Sequence, residues 1–474
     1  MPRLKSVSVR GLFGYVDHRV ELSVHSPTVI TGPNGTGKTH VLRLINATLN
    51  GDVLHLLEAS FREIELVFAD RVIRVQRSAL PESGVQHAAI GGQLDSAEQA
   101  LLKLQVIKEG HEAVHVETNT LECERAREET RETPPWIVQS VSGRYIDTRT
   151  GRPVPSAFAE TNFSLQTQSG ALRESALGRQ FLDMLNETRA VFIDTKRLDS
   201  EVRGAGRPSR SRMADRATSE SEARIMGYIR QIRNEIAGAR NDSLDRSQFA
   251  DLRFADRALQ AARSTIRVDD LKGQYSHVID LYEEMARNGL APDETPAPLP
   301  IKPNPTEKRI LALLLDAWSD RLEPLAPINR KLTDLRSVLD SKLAGSGKRT
   351  SVRRGGRLGI ESIAGHRVPV SQLSSGEQHL VAIFSQLLFA THTGSLVLID
   401  EPEISMHMSW QHAFLEDVER VASVSDLQVI LATHSTGIIN GRWDLTRELS
   451  LPPLEGLAGP DGEEHDESDL DDES

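Results

Sequence analysis

A single cysteine, Cys123, in 474 residues excludes a disulfide framework and suits a reducing compartment. No apolar h-region opens the chain, and no apolar run approaches the length of a membrane span. Ile310-Leu311-Ala312-Leu313-Leu314-Leu315 is the typical short case. These absences point to a soluble, cytoplasmic chain with no membrane segment. Positive charge is not in excess either. The formal net charge is −12, yet residues 461–474 hold nine Asp/Glu and no Lys/Arg, leaving about −3 for the rest. With Pro452, Pro453, Gly456 and Gly459 before it, residues 451–474 read as a disordered acidic tail. Such a tail serves solubility, or competes with DNA or docks on a partner's basic face.

What the chain does contain is a divided phosphate site. Gly32-Pro33-Asn34-Gly35-Thr36-Gly37-Lys38-Thr39 fills every fixed position of G-x-x-x-x-G-K-[ST]. Val29-Ile30-Thr31 before it is β-prone, and residues 40–49 read as a helix with Val41, Leu42 and Ile45 inward. Strand, glycine loop and helix is the context a P-loop requires. Asn34, Gly35 and Gly37 would offer backbone N–H groups to phosphate oxygens at a helix N-terminus. Lys38 would reach the β- and γ-phosphates of ATP, and the Thr39 hydroxyl would ligate Mg²⁺. By contrast, Gly345-Ser346-Gly347-Lys348-Arg349 lacks the first glycine and the final Ser/Thr and reads as a flexible loop.

The other half lies far downstream. Residues 395–399 form a continuous apolar run, as in a strand buried on both faces of a parallel sheet. The run ends in Asp400-Glu401, at the strand end where such sheets bind ligands. Asp400 would hold Mg²⁺, and Glu401 would orient and deprotonate the attacking water. A second strand over residues 427–433 ends at His434, placed to sense the γ-phosphate. Ser375 and Gly376, at the start of a helix over residues 377–388 read as amphipathic, form a second anion-binding helix N-terminus.

Together these residues resemble the ABC-type ATPases. Ser374-Ser375-Gly376-Glu377-Gln378 is similar to their signature motif, and Glu403 to His407 occupies the D-loop position. The resemblance implies a head-to-tail homodimer, or a larger homo-oligomer, with ATP sandwiched between subunits. Ser375, Gly376 and Glu377 would then serve the nucleotide of the partner copy. Lys38 and Ser375 stand 337 positions apart, so a large insertion splits the head, as in SMC-like, break-repair and RecF/OLD-like ATPases rather than transporter subunits. Residues 378–449 look most like the stand-alone AAA family ATP-binding proteins of bacterial anti-phage systems. That implies control of a separate effector protein, with a TOPRIM-type nuclease as the candidate. No H-x-x-x-H pair, zinc-like spacing or second carboxylate cluster follows His434, so no nuclease domain is expected in this chain. The rival expectation is a RecF/SMC-like, ATP-dependent DNA clamp. One departure from the family is the want of a Gln-containing Q-loop; residues 191–197 stand near that position.

The intervening chain is organised by short patterns. Residues 1–25 alternate as strands, with Val7, Val9, Val20 and Leu22 inward. Phe13 and Tyr15 are candidates either to stack on adenine or to pack. Residues 117–131 are charge-rich and read as an exposed helix. Ile225, Ile229, Ile232 and Ile236 follow 4-3-4 spacing, and Leu325, Ile328, Leu332, Leu335 and Leu339 follow 3-4-3-4. Both are short coiled-coil-like seams, read as plain core first and partner surface second, on a compact helical hairpin that projects from the head with 292–305 as its proline-rich connector. Basic loops at 203–212 and 348–357 suit contact with a DNA backbone, or are plain exposed loops.

The expected architecture is α/β: a P-loop ABC-type head, a mixed sheet flanked by helices, with a large inserted helical hairpin. Residues 1–200 form the first part of the head, 201–345 the insertion, 346–450 the second part, and 451–474 the tail.

Overall fold

The computed structural model describes residues 2–79, 100–108, 110–120, 176–186, 190–194, 210–261, 267–292, 298–300, 302–353, 357–391 and 394–451. It also describes three short strands between 137 and 154, and residues 172, 175 and 188. Expectations placed on residues 121–131, on 195–209 and on the acidic tail lie outside the described residues.

In chain order, β1 (Leu4–Leu12) and β2 (Val16–Glu21) are followed by β3 (Thr28–Thr31), α1 (Lys38–Asn50) and α2 (Val53–Glu58). Then come β4 (Glu63–Phe68), β5 (Arg71–Ala79), β6 (Ala100–Lys108) and β7 (Val114–Asn119). The short β8 (Ile137–Gln139), β9 (Tyr145–Asp147) and β10 (Arg152–Val154) precede α3 (Ala176–Asn186) and β11 (Ala190–Asp194). The insertion supplies α4 (Arg210–Leu252), α5 (Phe254–Ala261), α6 (Val268–Arg287), α7 (Pro305–Leu322) and α8 (Ala326–Leu343). It leads into β12 (Lys348–Arg353), β13 (Arg357–Ser362) and β14 (Arg367–Val368). The head is completed by α9 (Ser375–Ser385), β15 (Leu396–Asp400), α10 (Met408–Ser425), β16 (Gln428–Ala432), α11 (Thr436–Ile439) and β17 (Thr446–Glu448).

The molecule is α/β. Its central sheet has five strands in the order β11-β15-β16-β3-β17, every neighbouring pair parallel. A six-stranded antiparallel sheet, β2-β1-β4-β5-β6-β7, lies beside it. Period-2 alternation in β15 explains the layering. Leu396 and Leu398 enter one core with Ile30, Ile430, α1 and the antiparallel sheet. Val397 and Ile399 enter a second with Val29, Val429, α9, α10 and the inserted helices. A strand serving two cores must be apolar on both faces, which is why residues 396–399 carry no alternation of their own.

Three local expectations change, while the isoleucine and leucine seams prove to be plain core. Ile225, Ile232 and Ile236 of α4 and Ile328, Leu332, Leu335 and Leu339 of α8 lie in the same core as Val397 and Ile399. The heptad-like spacing reports burial against the head, while other positions of the insertion leave large apolar side chains in solvent, Leu252 at 80% and Leu259 at 74% exposure foremost. The helix α9 is buried at nearly every position rather than amphipathic. Residues 348–353 are a strand paired along its length with β13, not a flexible loop. The start of the charge-rich 117–131 segment is the end of β7, held by pairing with β6.

Leu335→Ala is expected to lower stability by about 2–5 kcal/mol through the cavity it leaves. Leu259→Ala should stay within about 0.5 kcal/mol. Denaturation midpoints of the full chain check both; a silent Leu335→Ala would mean that α8 is not part of the head core.

Candidate functional site

Parallel pairing gathers the functional strand ends on one edge. The Cα partners run Asp194, Asp400 and Ala432 across β11, β15 and β16, and β3 beyond them delivers the glycine loop. Two glycines there are steric requirements. Gly37 caps α1 in a left-handed conformation (φ 93°), and a Cβ on it would sit 2.5 Å from Leu12 Cδ2. A Cβ on Gly32 would sit 2.4 Å from the Leu449 carbonyl oxygen. The loop is thus clamped between the first strand and the last, with Asn34 and Gly35 exposed at its apex.

Lys38 is buried along its stem and donates to the carbonyl oxygens of Gly32 (2.7 Å) and Pro33 (3.1 Å), so its ammonium lies over the loop. The Thr39 hydroxyl donates to Asp400 Oδ1 at 3.0 Å, although 361 positions separate the two. A hydroxyl and a carboxylate side by side are hard oxygen donors of the type Mg²⁺ takes. Together with the open loop apex at a helix N-terminus, they fit a Mg²⁺-nucleotide. Phe13 meets His40 edge to face at 4.8 Å between centroids, so it packs, while Tyr15 remains exposed. Burial first, then the charges of Arg43 and His55, pull His40 below its usual value and favour the neutral ring.

Glu401 follows β15 with φ 46°, a left-handed conformation that costs a residue with a Cβ. It is held there by its own N–H donating to the Ala432 carbonyl at 2.9 Å. The strained position therefore sits directly after Asp400, at the end of its strand. His434 is 53% exposed at its side chain and leans on Glu403, which is 8% exposed.

Sequence reasoning had placed Glu403 only within the D-loop. In the structure its Oε1 accepts from the Thr433 hydroxyl (2.7 Å) and the His434 N–H (3.2 Å), and His434 Nδ1 lies 3.1 Å from it. The Nδ1 edge of the ring thus faces Glu403. The signal was Asp-Glu-Pro-Glu itself: a carboxylate two positions after Glu401, just past the turn.

Two more residues were missed. Arg43 of α1 pairs with Asp194 at 3.1 Å, and strand register puts Asp194, rather than a glutamine, beside Asp400. Lys348 reaches the signature segment. Ser375 is exposed, and Gly376 is packed so that a Cβ would lie 2.4 Å from the Ser405 carbonyl oxygen. Glu377, grouped by sequence with the nucleotide contacts, is used otherwise. Its buried carboxylate accepts from Ser346 Oγ (2.6 Å), Lys348 Nζ (2.7 and 3.0 Å) and the Ser374 N–H (2.8 Å). It completes a capping box with Ser374, so it builds the helix terminus that Ser375 and Gly376 present. Burial raises its carboxyl, but the hydrogen bonds from Lys348, Ser346 and Ser374 and the Lys348 charge outweigh that and hold it below the usual range. Among the described residues no group of three or more His, Cys, Asp or Glu forms a metal cluster, and no helix is long and apolar enough to cross a membrane.

With this geometry in hand, a family profile described as "AAA domain, putative AbiEii toxin, Type IV TA system" matches residues 162–440. The match takes in the signature, Asp400 and His434 but begins after the glycine loop. No curated protein matches the chain. Solved structures with related chains include an SMC head bound to the C-winged helix domain of ScpA, 12% identical, covering 95% of each chain, TM-score 0.33. The SMC head domain of Thermotoga maritima is 10% identical, covers 95% of each chain and has TM-score 0.32. RecF with ATPrS is 12% identical over 92% of this chain and 94% of that one, TM-score 0.27.

A carboxylate held low in the fold contributes stability above its unfolded value and loses it as pH falls through the folded value. Lys348→Met leaves that carboxylate buried without its cation, at about 3–5 kcal/mol. The deficit is expected to be full near neutrality and to shrink as acid protonates Glu377. Urea midpoints across pH check this; a deficit independent of pH would assign the loss to packing alone.

Proposed function

This chain belongs to the family of AAA domains described as putative AbiEii toxin, type IV TA system, and from that premise we propose that it is an ATP-hydrolysing switch of the ABC type. Bound Mg·ATP would supply the γ-phosphoryl group and the divalent charge that offsets its oxygens. The loop N–H groups of Asn34, Gly35 and Gly37 and the Lys38 ammonium bind the phosphates. Thr39 and Asp400 hold the Mg²⁺. Glu401 positions the attacking water and accepts its proton, and His434, beside Glu403, senses the γ-phosphate. Ser375 and Gly376 act on the nucleotide of a second copy, so two chains meet head to tail, and further copies can join. The observation that carries the reading is the 3.0 Å hydrogen bond from Thr39 to Asp400, because it makes one site from two distant segments.

Assembly in turn controls a separate effector in the cytoplasm, a nuclease of TOPRIM type being the candidate, in defence against phage. This part rests on the resemblance of residues 378–449 to ATPase components of anti-phage systems such as AriA of PARIS. ATP binding shifts the population towards the closed dimer by its differential affinity, and hydrolysis resets it. A DNA clamp is the less favoured reading. Lys348 pairs with Glu377 and Arg349 with Glu361, which occupies two cations of the basic segment at 348–357.

Light-scattering mass of wild type and of Glu401→Gln, with and without Mg·ATP, tests the proposal. Mg·ATP is expected to convert smaller species into dimers or larger assemblies. Glu401→Gln should hold them, with hydrolysis reduced about a hundredfold or more, and Ser375→Arg should prevent them. A mass unchanged by nucleotide in every variant would sink the switch; ATP-strengthened, salt-sensitive binding to DNA ends would favour the clamp.

A further inference from the structure

The insertion contains a second concavity, remote in kind from the nucleotide site. Between α4, α6 and α7 lies a cavity of about 840 Å³, within the roughly 300–1,000 Å³ of small-molecule sites. Its walls are aliphatic and aromatic, with Tyr275, Tyr282 and Trp318 as the large rings, and no residue of the glycine loop, of β15 or of α9 lines it. Its mouth is open to solvent, so a small molecule can reach these walls.

Its electrostatics are one-sided. Arg240 and Arg321 are its charged lining residues, and no Asp or Glu lines it. Arg240 donates to the Gly289 carbonyl at 2.9 Å and is thereby fixed as part of the wall. Arg321 is exposed. Ser243 donates to its backbone carbonyl at 2.7 Å, while among the described residues no hydrogen bond or ion pair engages its guanidinium. Leu244 and Leu314, also exposed, give an apolar approach to the interior.

The walls are held before any ligand arrives. A capping box between Asn304 and Glu307 fixes the start of α7. Asn288, just before Gly289, is tied to Asn329 Oδ1 (2.7 Å) and Thr333 Oγ1 (2.8 Å) of α8. A preformed pocket spends little free energy on ordering when it binds.

We propose that this cavity is a binding site for a small amphipathic anion, an aliphatic or aromatic body carrying one carboxylate or phosphate. The body fills the space among Tyr275, Tyr282, Leu315 and Trp318. The anionic head pairs with the Arg321 guanidinium, whose planar donors match carboxylate and phosphate oxygens. The proposal stands apart from the ATPase reading and does not need it.

The test uses the full chain with dodecanoate, kept below its micellar concentration, and dodecyltrimethylammonium as the charge-reversed probe. Calorimetry gives stoichiometry, and Trp318 emission, identified by a Trp318→Phe control, reports occupancy. Dodecanoate is expected to bind once per chain and to change Trp318 emission; the cation should do neither. Arg321→Ala should weaken dodecanoate at least tenfold, Arg321→Lys should restore part of that, and Arg321→Glu should turn the preference towards the cation. Because Arg321 is exposed, these variants are expected to keep the wild-type thermal midpoint. Equal binding of both probes, no saturable binding, or dodecanoate affinity unchanged by Arg321→Ala would each overturn the proposal.

Discussion

Parallel strands in register end together, and the whole nucleotide site hangs on that constraint. With Asp194, Asp400 and Ala432 aligned as Cα partners, every turn leaving the sheet begins at the same level. Glu401, Thr433 and His434 are therefore neighbours without any direct bond between their segments' remote parts. The hydrogen bond from Thr39 to Asp400 closes this edge against α1. A slip of one residue in β15 would exchange its two faces, sending Leu396 and Leu398 into the wrong core and Asp400 away from Thr39. Apolar side chains on both faces make such a slip costly, so the hydrophobic effect sets the geometry of the charges.

The same sheet separates two bodies of packing with different duties. On one face the antiparallel sheet and α1 support the glycine loop. On the other, the inserted helices pack into the core that also buries α9. The signature segment therefore stands on the insertion as much as on the sheet. Glu377 makes this concrete: its buried carboxylate is answered by Lys348 and Ser346, both at the exit of the insertion. A buried ion pair of this kind adds little net stability but strongly penalises the loss of either partner, which makes it a device for holding position.

Legibility in the sequence followed the range of the interactions. Gly32 to Thr39, Asp400-Glu401 and His434 could be placed because each is written in contiguous residues beside an apolar strand. The parallel sheet followed from the unbroken run at 395–399. Glu403 and Lys348 escaped as functional residues because their partners lie 31 and 29 positions away, and spacing alone does not pair a carboxylate across a strand and a helix. The seams in α4 and α8 were visible as periodicity, but a period reports that one face is buried and is silent about what covers it. Their cover proved to be the head. Residues 348–353 misled for a related reason: basic and small residues look like a loop until β13 supplies the hydrogen bonds that make them a strand.

The position of β3 between β16 and β17 bears on how the protein is made. Both neighbours of the glycine-loop strand come from the last translated part of the described chain. At about 5–20 residues per second, a ribosome needs about 20–80 s after finishing β3 before residues 428–448 exist to flank it. Through that interval Val29 and Ile30 have no sheet to join, and the nascent phosphate loop has no fixed shape. The glycine loop is thus among the last parts of the head to take its shape, although it is among the first to be made.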